Sequence, residues 1–105
     1  MDYKIIWHTE ARSDLKGIYT YYAELNRRTA NSILSQINHQ LKLLAKNPLM
    51  AAIETQLYGK KKVYRSLLTF KRKLKIIYTI YNDQIHIVMI WNCLQNPKKL
   101  KNALE

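Results

Sequence analysis

The sequence holds one cysteine, two glycines, two prolines and one phenylalanine. Cys93 alone cannot close an internal disulfide, which excludes a disulfide-stapled domain and suits a reducing compartment. No low-complexity segment, internal repeat or candidate boundary interrupts the chain. No apolar run approaches the ~20 residues of a membrane span, and the opening MDYKIIWHTE has no signal-peptide layout. The expectation is a soluble cytoplasmic protein without a membrane partner. His8, His39 and His86 are scattered with no metal-ligand spacing, and no cofactor is expected. Acidic residues are also scarce where it matters. Residues 55–105 carry eleven Lys or Arg against two acids, net +9, whereas residues 1–54 carry seven against five, net +2.

What is present is enough for one domain over residues 1–105. At this length, with 48% hydrophobic residues, a core forms without metal or disulfide staples. The whole chain is at +11, and that charge suits nucleic acid, an anionic surface or an acidic protein. Its centre is the stretch Lys60 to Lys75, KKKVYRSLLTFKRKLK, with eight basic residues and no acid. Val63, Tyr64, Leu67, Leu68, Phe70 and Leu74 give this stretch something to bury, unlike an ordinary solvated charge run. It reads as a β-hairpin, Val63 to Leu68 turning back into Leu74 to Tyr81, whose polar side is cationic.

In chain order, Tyr3 to His8 alternates as a strand. Thr9 is placed to cap a helix, with Glu10 in its first turn. Ala11, Leu15, Ile18, Tyr22 and Leu25 then form one apolar stripe. Gly17 weakens that helix and is read as a mark of close packing. A second helix is expected from about Thr29, burying Ala30, Ile33, Leu34, Ile37, Leu41 and Leu44, and ending at Lys46-Asn47-Pro48. The short connection predicts an antiparallel helical hairpin. Residues 49–59 show no period and read as a loop ending at Gly59. Leu74, Ile76, Tyr78 and Ile80 alternate with Lys75, Ile77, Thr79 and Tyr81. Asn82-Asp83 makes a turn, after which Ile85, Ile87, Met89 and Trp91 alternate with His86, Val88 and Ile90. Asn96-Pro97 reads as a helix start, with Leu100 and Leu104 as a weak apolar edge. The expected fold is α+β, β-α-α-β-β-β-(α), a small mainly antiparallel sheet against a two-helix hairpin.

Several residues have a plainer reading than a functional one. Tyr19, Tyr21, Tyr22 and Tyr78 sit at core and rim spacing, although aromatic side chains can stack on bases. Asp14 and Glu54 read as surface or capping residues. Cys93 has no His or Asp at a suggestive spacing. Arg65 and Lys75, taken alone, read as charges that protect a sheet edge.

Trp7, Ala11, Asp14-Leu15, Ile18 and Tyr22, Asn47-Pro48, Tyr64-Arg65, Lys75-Ile76-Ile77-Tyr78, and Gln95-Asn96-Pro97 with Lys99-Leu100 follow one another in an order and spacing that resembles the RelE/ParE superfamily of bacterial type II toxins. The resemblance spans nearly the whole chain. It implies a cognate antitoxin whose acidic or amphipathic segment wraps the toxin in a hetero-oligomer. It also implies either cleavage of messenger RNA at the ribosome, as in RelE-like members, or inhibition of DNA gyrase, as in ParE-like members.

Metal-free RNA cleavage requires an activated 2′-hydroxyl, a stabilised phosphate and a protonated leaving oxygen. By the resemblance, Arg65 and Lys75 are the catalytic candidates. Arg65 would clamp a phosphate bidentately and Lys75 would act as a point charge. Lys62, Lys71, Arg72, Lys73, Lys98 and Lys99 would bind the nucleic-acid backbone, as phosphate contacts position without reading sequence. Leu94 stands where related sequences often have arginine, and no tyrosine follows Tyr81. The expectation is an mRNA-cleaving toxin; the alternatives are a non-enzymatic gyrase inhibitor and an inactive antitoxin-binding homologue.

Overall fold

The structure, a computed structural model, describes residues 2–95 and 97–103. The order is β1 (Lys4–Trp7), α1 (Thr9–Leu25), α2 (Arg27–Lys46), β2 (Ala52–Ile53), a 3₁₀ turn (Thr55–Leu57), β3 (Arg65–Thr69), β4 (Leu74–Tyr81), β5 (Gln84–Asn92), a second 3₁₀ turn (Pro97–Lys99) and α3 (Leu100–Ala103). One sheet holds the strands in the order β1-β5-β4-β3-β2. β1 lies parallel to β5, and the other neighbours are antiparallel. The α+β plan read from the sequence is the one observed, with β2 and a 3₁₀ turn inside the segment read as a loop. Of the expected C-terminal features, Asn96 and Leu104 lie outside the described residues.

The helix boundaries follow their caps. His8, not Thr9, precedes the first turn of α1, and it offers no side-chain cap. Asn26 accepts from the Arg28 and Thr29 amides at 2.9 and 3.3 Å, so α2 starts at Arg27, ahead of the expected Thr29. Ala11, Leu15, Ile18 and Tyr22 face the sheet as expected. Leu25 does not; at the helix end it is 69% exposed. Gly17 is not a close-packing site either, because nothing lies within 4 Å of where its Cβ would be.

The two helices cover one face of the sheet. Ile33, Ile37, Leu41 and Leu44 pack there against Leu74, Ile76, Tyr78, Ile85, Ile87 and Ile90. The other face has a smaller cluster of Leu57, Tyr64, Ile77, Val88, Met89, Trp91 and Leu100. Burial on both sides explains why β4 and β5 are apolar at almost every position. Leu100 anchors α3 on this second face.

A register shift at Ile77/Tyr78 makes Ile77 pair with Met89 and Tyr78 with Ile87, leaving Val88 as the extra residue of a bulge. The expected alternation along β5 therefore breaks. Ile85, Ile87 and Ile90 face the helices, while Val88, Met89 and Trp91 face the second cluster. The Asn82-Asp83 turn has both residues at positive φ, 50° and 58°, the geometry that matches a two-residue hairpin to strand twist.

Candidate functional site

The β3–β4 hairpin carries the basic stretch, and its register decides which side chains can act together. Arg65 pairs with Tyr78, Leu67 with Ile76 and Thr69 with Leu74, whereas Ser66 pairs with Ile77 and Leu68 with Lys75. Directly paired residues share a face. Tyr78 is in the helix-side core and Ile77 in the other. Arg65 therefore leaves the helix side of the sheet and Lys75 the opposite side. They are also three register steps apart, roughly 10 Å along the strand. The structure does not bring these two together.

Each already has an internal partner. The Arg65 guanidinium donates to the Ala51 carbonyl at 2.7 Å, tying β3 to the chain before β2. The Lys75 ammonium donates to the Glu54 carboxylate at 2.6 Å, with side chains 26% and 3% exposed respectively. Glu54 also accepts from the Gln56 amide at 2.9 Å and so caps the 3₁₀ turn. Burial pushes the Glu54 carboxyl up, but the Lys75 and Gln56 hydrogen bonds and the Lys75 charge outweigh it and hold the group below its ordinary value. The cation of Lys75 is thus largely neutralised.

The other basic candidates are spread over the surface. Lys71, Arg72 and Lys73 form the exposed β3–β4 turn, with the Lys73 ammonium 5.7 Å from the centroid of the Phe70 ring. Lys62 lies on the loop before β3, and with Leu49, Val63, Arg65, Thr79, Ile80 and Tyr81 lines an open cleft of ≈ 400 Å³. Leu49, Val63 and Tyr81 are all well exposed there. Lys98 and Lys99 are exposed on the second 3₁₀ turn. Leu94 is 80% exposed and borders a second open groove with Ser13, Asp14, Gly17, Tyr21 and Gln95.

Two arrangements have little signal in the sequence. His8 and His86, 78 positions apart, meet with Nε2 and Nδ1 at 2.9 Å. Burial, then the neighbouring His8 and Lys62, depresses the His86 pKa. Only the parallel pairing of β1 with β5 places these rings together. Asp14 accepts from the Ile90 amide at 3.0 Å. β1 pairs β5 only as far as Trp7 opposite Ile87, so this amide needs a partner beyond the sheet, and α1 supplies it. Burial raises the Asp14 carboxyl, and Glu10 adds to that, against the Ile90 amide. Among the described residues, no group of three or more His, Cys, Asp or Glu could hold a metal ion, and no helix is long and apolar enough to cross a membrane.

The fold and surface together define a small, strongly basic RelE/ParE-like domain whose cationic hairpin is braced from within. Residues 5–97 match the family described as ParE toxin of type II toxin-antitoxin system, parDE, and the chain belongs to that family of type II toxins. Among solved structures, a chain titled "Chromosomal ParDE TA system from P. aeruginosa" is similar in fold, with a TM-score of 0.69 at 21% identity, over 86% of this chain and 95% of that one. No curated protein sequence matches the chain.

Proposed function

We propose that this toxin arrests growth by binding a protein target, DNA gyrase as in ParE-like toxins, and that it does not cut RNA. One observation carries this reading: Arg65 and Lys75 leave opposite faces of the sheet and are each engaged internally. A phosphate held by one of them is out of reach of the other, so the two requirements of charge stabilisation and proton transfer are not met at one point. The exposed Leu49, Val63 and Tyr81 beside Lys62 and Arg65 have the mixed apolar and cationic character of a protein-docking surface. The antitoxin is proposed to be a protein with an acidic or amphipathic segment that covers the cationic half, and the proposed location is the cytoplasm.

The reading is tested by induced expression in bacteria without antitoxin, mapping messenger RNA 5′ ends and assaying gyrase supercoiling in the same cultures. Growth arrest with intact messenger RNA and lost supercoiling is the expected result. New codon-phased RNA ends that disappear in Arg65→Ala would overturn it and restore the nuclease.

A further inference from the structure

β2 covers the outer edge of β3 only at Arg65 and Ser66. Past that point α2 takes over, and Gln40 Nε2 donates to the Leu68 carbonyl at 2.9 Å. The turn that follows is strained. Phe70, Lys71 and Arg72 have φ of 46°, 55° and 64°, in the left-handed region that is unfavourable for a residue with a Cβ. Burial of Phe70, edge-on to Tyr22 with ring centroids 5.3 Å apart, offsets this cost. With Phe70 turned inward, Lys71 and Arg72 form one wall of an open cleft of ≈ 380 Å³. Gln36, His39 and Gln40 of α2 form the other wall, and Thr69 also lines it.

This cleft has two features that packing alone does not explain. First, α2 and residues 65–81 contain no Asp or Glu, so no carboxylate of either wall balances Lys71 and Arg72. Second, Thr69 Oγ1 and Gln40 Oε1 are buried without a hydrogen-bond partner, and Thr69 as a whole is 5% exposed. A buried polar group left unpaired carries a cost that a ligand can relieve.

We propose that this cleft binds one nucleotide unit of a single-stranded nucleic acid. Its phosphate lies between Lys71 and Arg72 and accepts from the Thr69 hydroxyl. Gln40 Oε1, an acceptor only, takes a hydrogen bond from a sugar hydroxyl or a base amino group. A phosphate diester alone has no donor to offer that oxygen, so the sugar or base of the same nucleotide supplies it. Unpaired strands leave their base edges and sugars free for such contacts. No bond is broken, so the site is independent of how the toxin reaches its main target.

The test is fluorescence anisotropy of the full chain with a labelled single-stranded oligonucleotide, as DNA and as RNA of the same sequence, between about 50 and 200 mM salt. Lys71→Ala/Arg72→Ala is expected to weaken binding roughly tenfold and to reduce the salt slope by about 0.7, one single-strand phosphate contact. Lys4→Ala/Lys16→Ala removes the same charge from β1 and α1 and is expected to change affinity much less. Thr69→Val is expected to lower affinity severalfold with unchanged or higher Tm, since it deletes an unpaired buried hydroxyl. Tighter binding of RNA than DNA would identify the 2′-hydroxyl as the donor to Gln40; equal binding would assign the base. Equal weakening by the two double variants would reduce the effect to net charge and overturn the site, as would a Thr69→Val protein that binds like the parent.

Discussion

Glu54 is the only carboxylate between Glu24 and Asp83, and the fold uses it as the internal counter-ion of a cationic hairpin. Its carboxyl sits below the ordinary 4.5 because Lys75 and the Gln56 amide outweigh the burial that would raise it. A carboxyl depressed in the folded state contributes stability above its unfolded pKa, and that contribution is lost as pH falls through the folded value. Asp14 works in the other direction. Burial lifts it above 3.8, so the folded state holds its proton longer and gains as pH falls. The two are separated by comparing the parent with Glu54→Gln in urea unfolding from about pH 6 to pH 3. The stability difference should be constant at the upper end and shrink as pH falls from the unfolded value of about 4.5 through the lower folded value, where the paired Glu54 is at last protonated. A difference that persists unchanged at the acid end would mean that Glu54 acts through shape and not through charge.

At the scale of elements, the period of the apolar residues places both helices and the three long strands, since each buries a face that must repeat at 3.6 or at 2. Short-range chemistry then moves the ends. Asn26 is the cap that starts α2 at Arg27, two residues ahead of the expected Thr29. β2 has two residues, too few for any period to register. Faces along the hairpins depended on something the pattern does not contain. The turn of Phe70 to Lys73 has four residues, so Thr69 pairs with Leu74 and odd-numbered positions in β3 share a face with even-numbered ones in β4. The basic stretch is therefore not one surface, and Arg65 and Lys75 fall on opposite faces. Val88 does the same to β5 by inserting one residue. The basic β3–β4 turn is legible in the sequence as a concentration of exposed positive charge, because charge without acids is a compositional signal. Gln40 and Thr69 are not, as their missing partners appear only once α2 meets the open edge of β3. Gly17 shows the same limit: read as close packing, it faces open space. Gly17→Ala should therefore stabilise the protein by roughly 0.5–1 kcal/mol through helix propensity and reduced freedom of the unfolded chain. Thermal unfolding checks this, and a lower Tm would reveal that the groove beside α1 depends on the absence of a side chain.

For the whole molecule, the decisive quantity is a net charge of +11 with +9 of it in residues 55–105. Folding draws the eight basic residues of positions 60–75 onto one hairpin and its flanking loop, much of it within the ~10 Å Debye length of 0.1 M salt. The unfolded chain spreads them through a coil with a radius of gyration of about 30 Å. The folded toxin thus stores like-charge repulsion that the single Glu54 carboxylate at Lys75 offsets only in part. Raising the concentration of a chloride salt from about 0.02 to 0.3 M should screen that repulsion and raise Tm by a few degrees, since ~1 kcal/mol corresponds to about 4–8 °C in a domain of this size. Bound to an antitoxin of the acidic kind proposed above, the same protein should respond the opposite way, because such a partner would neutralise the hairpin and salt would weaken the association that stabilises it. Melting curves of the free toxin and of the purified complex across the same salt series measure both slopes. A free-toxin Tm that falls with salt would mean that attractive pairs dominate its surface, and the cationic half would then need no acidic partner to settle it.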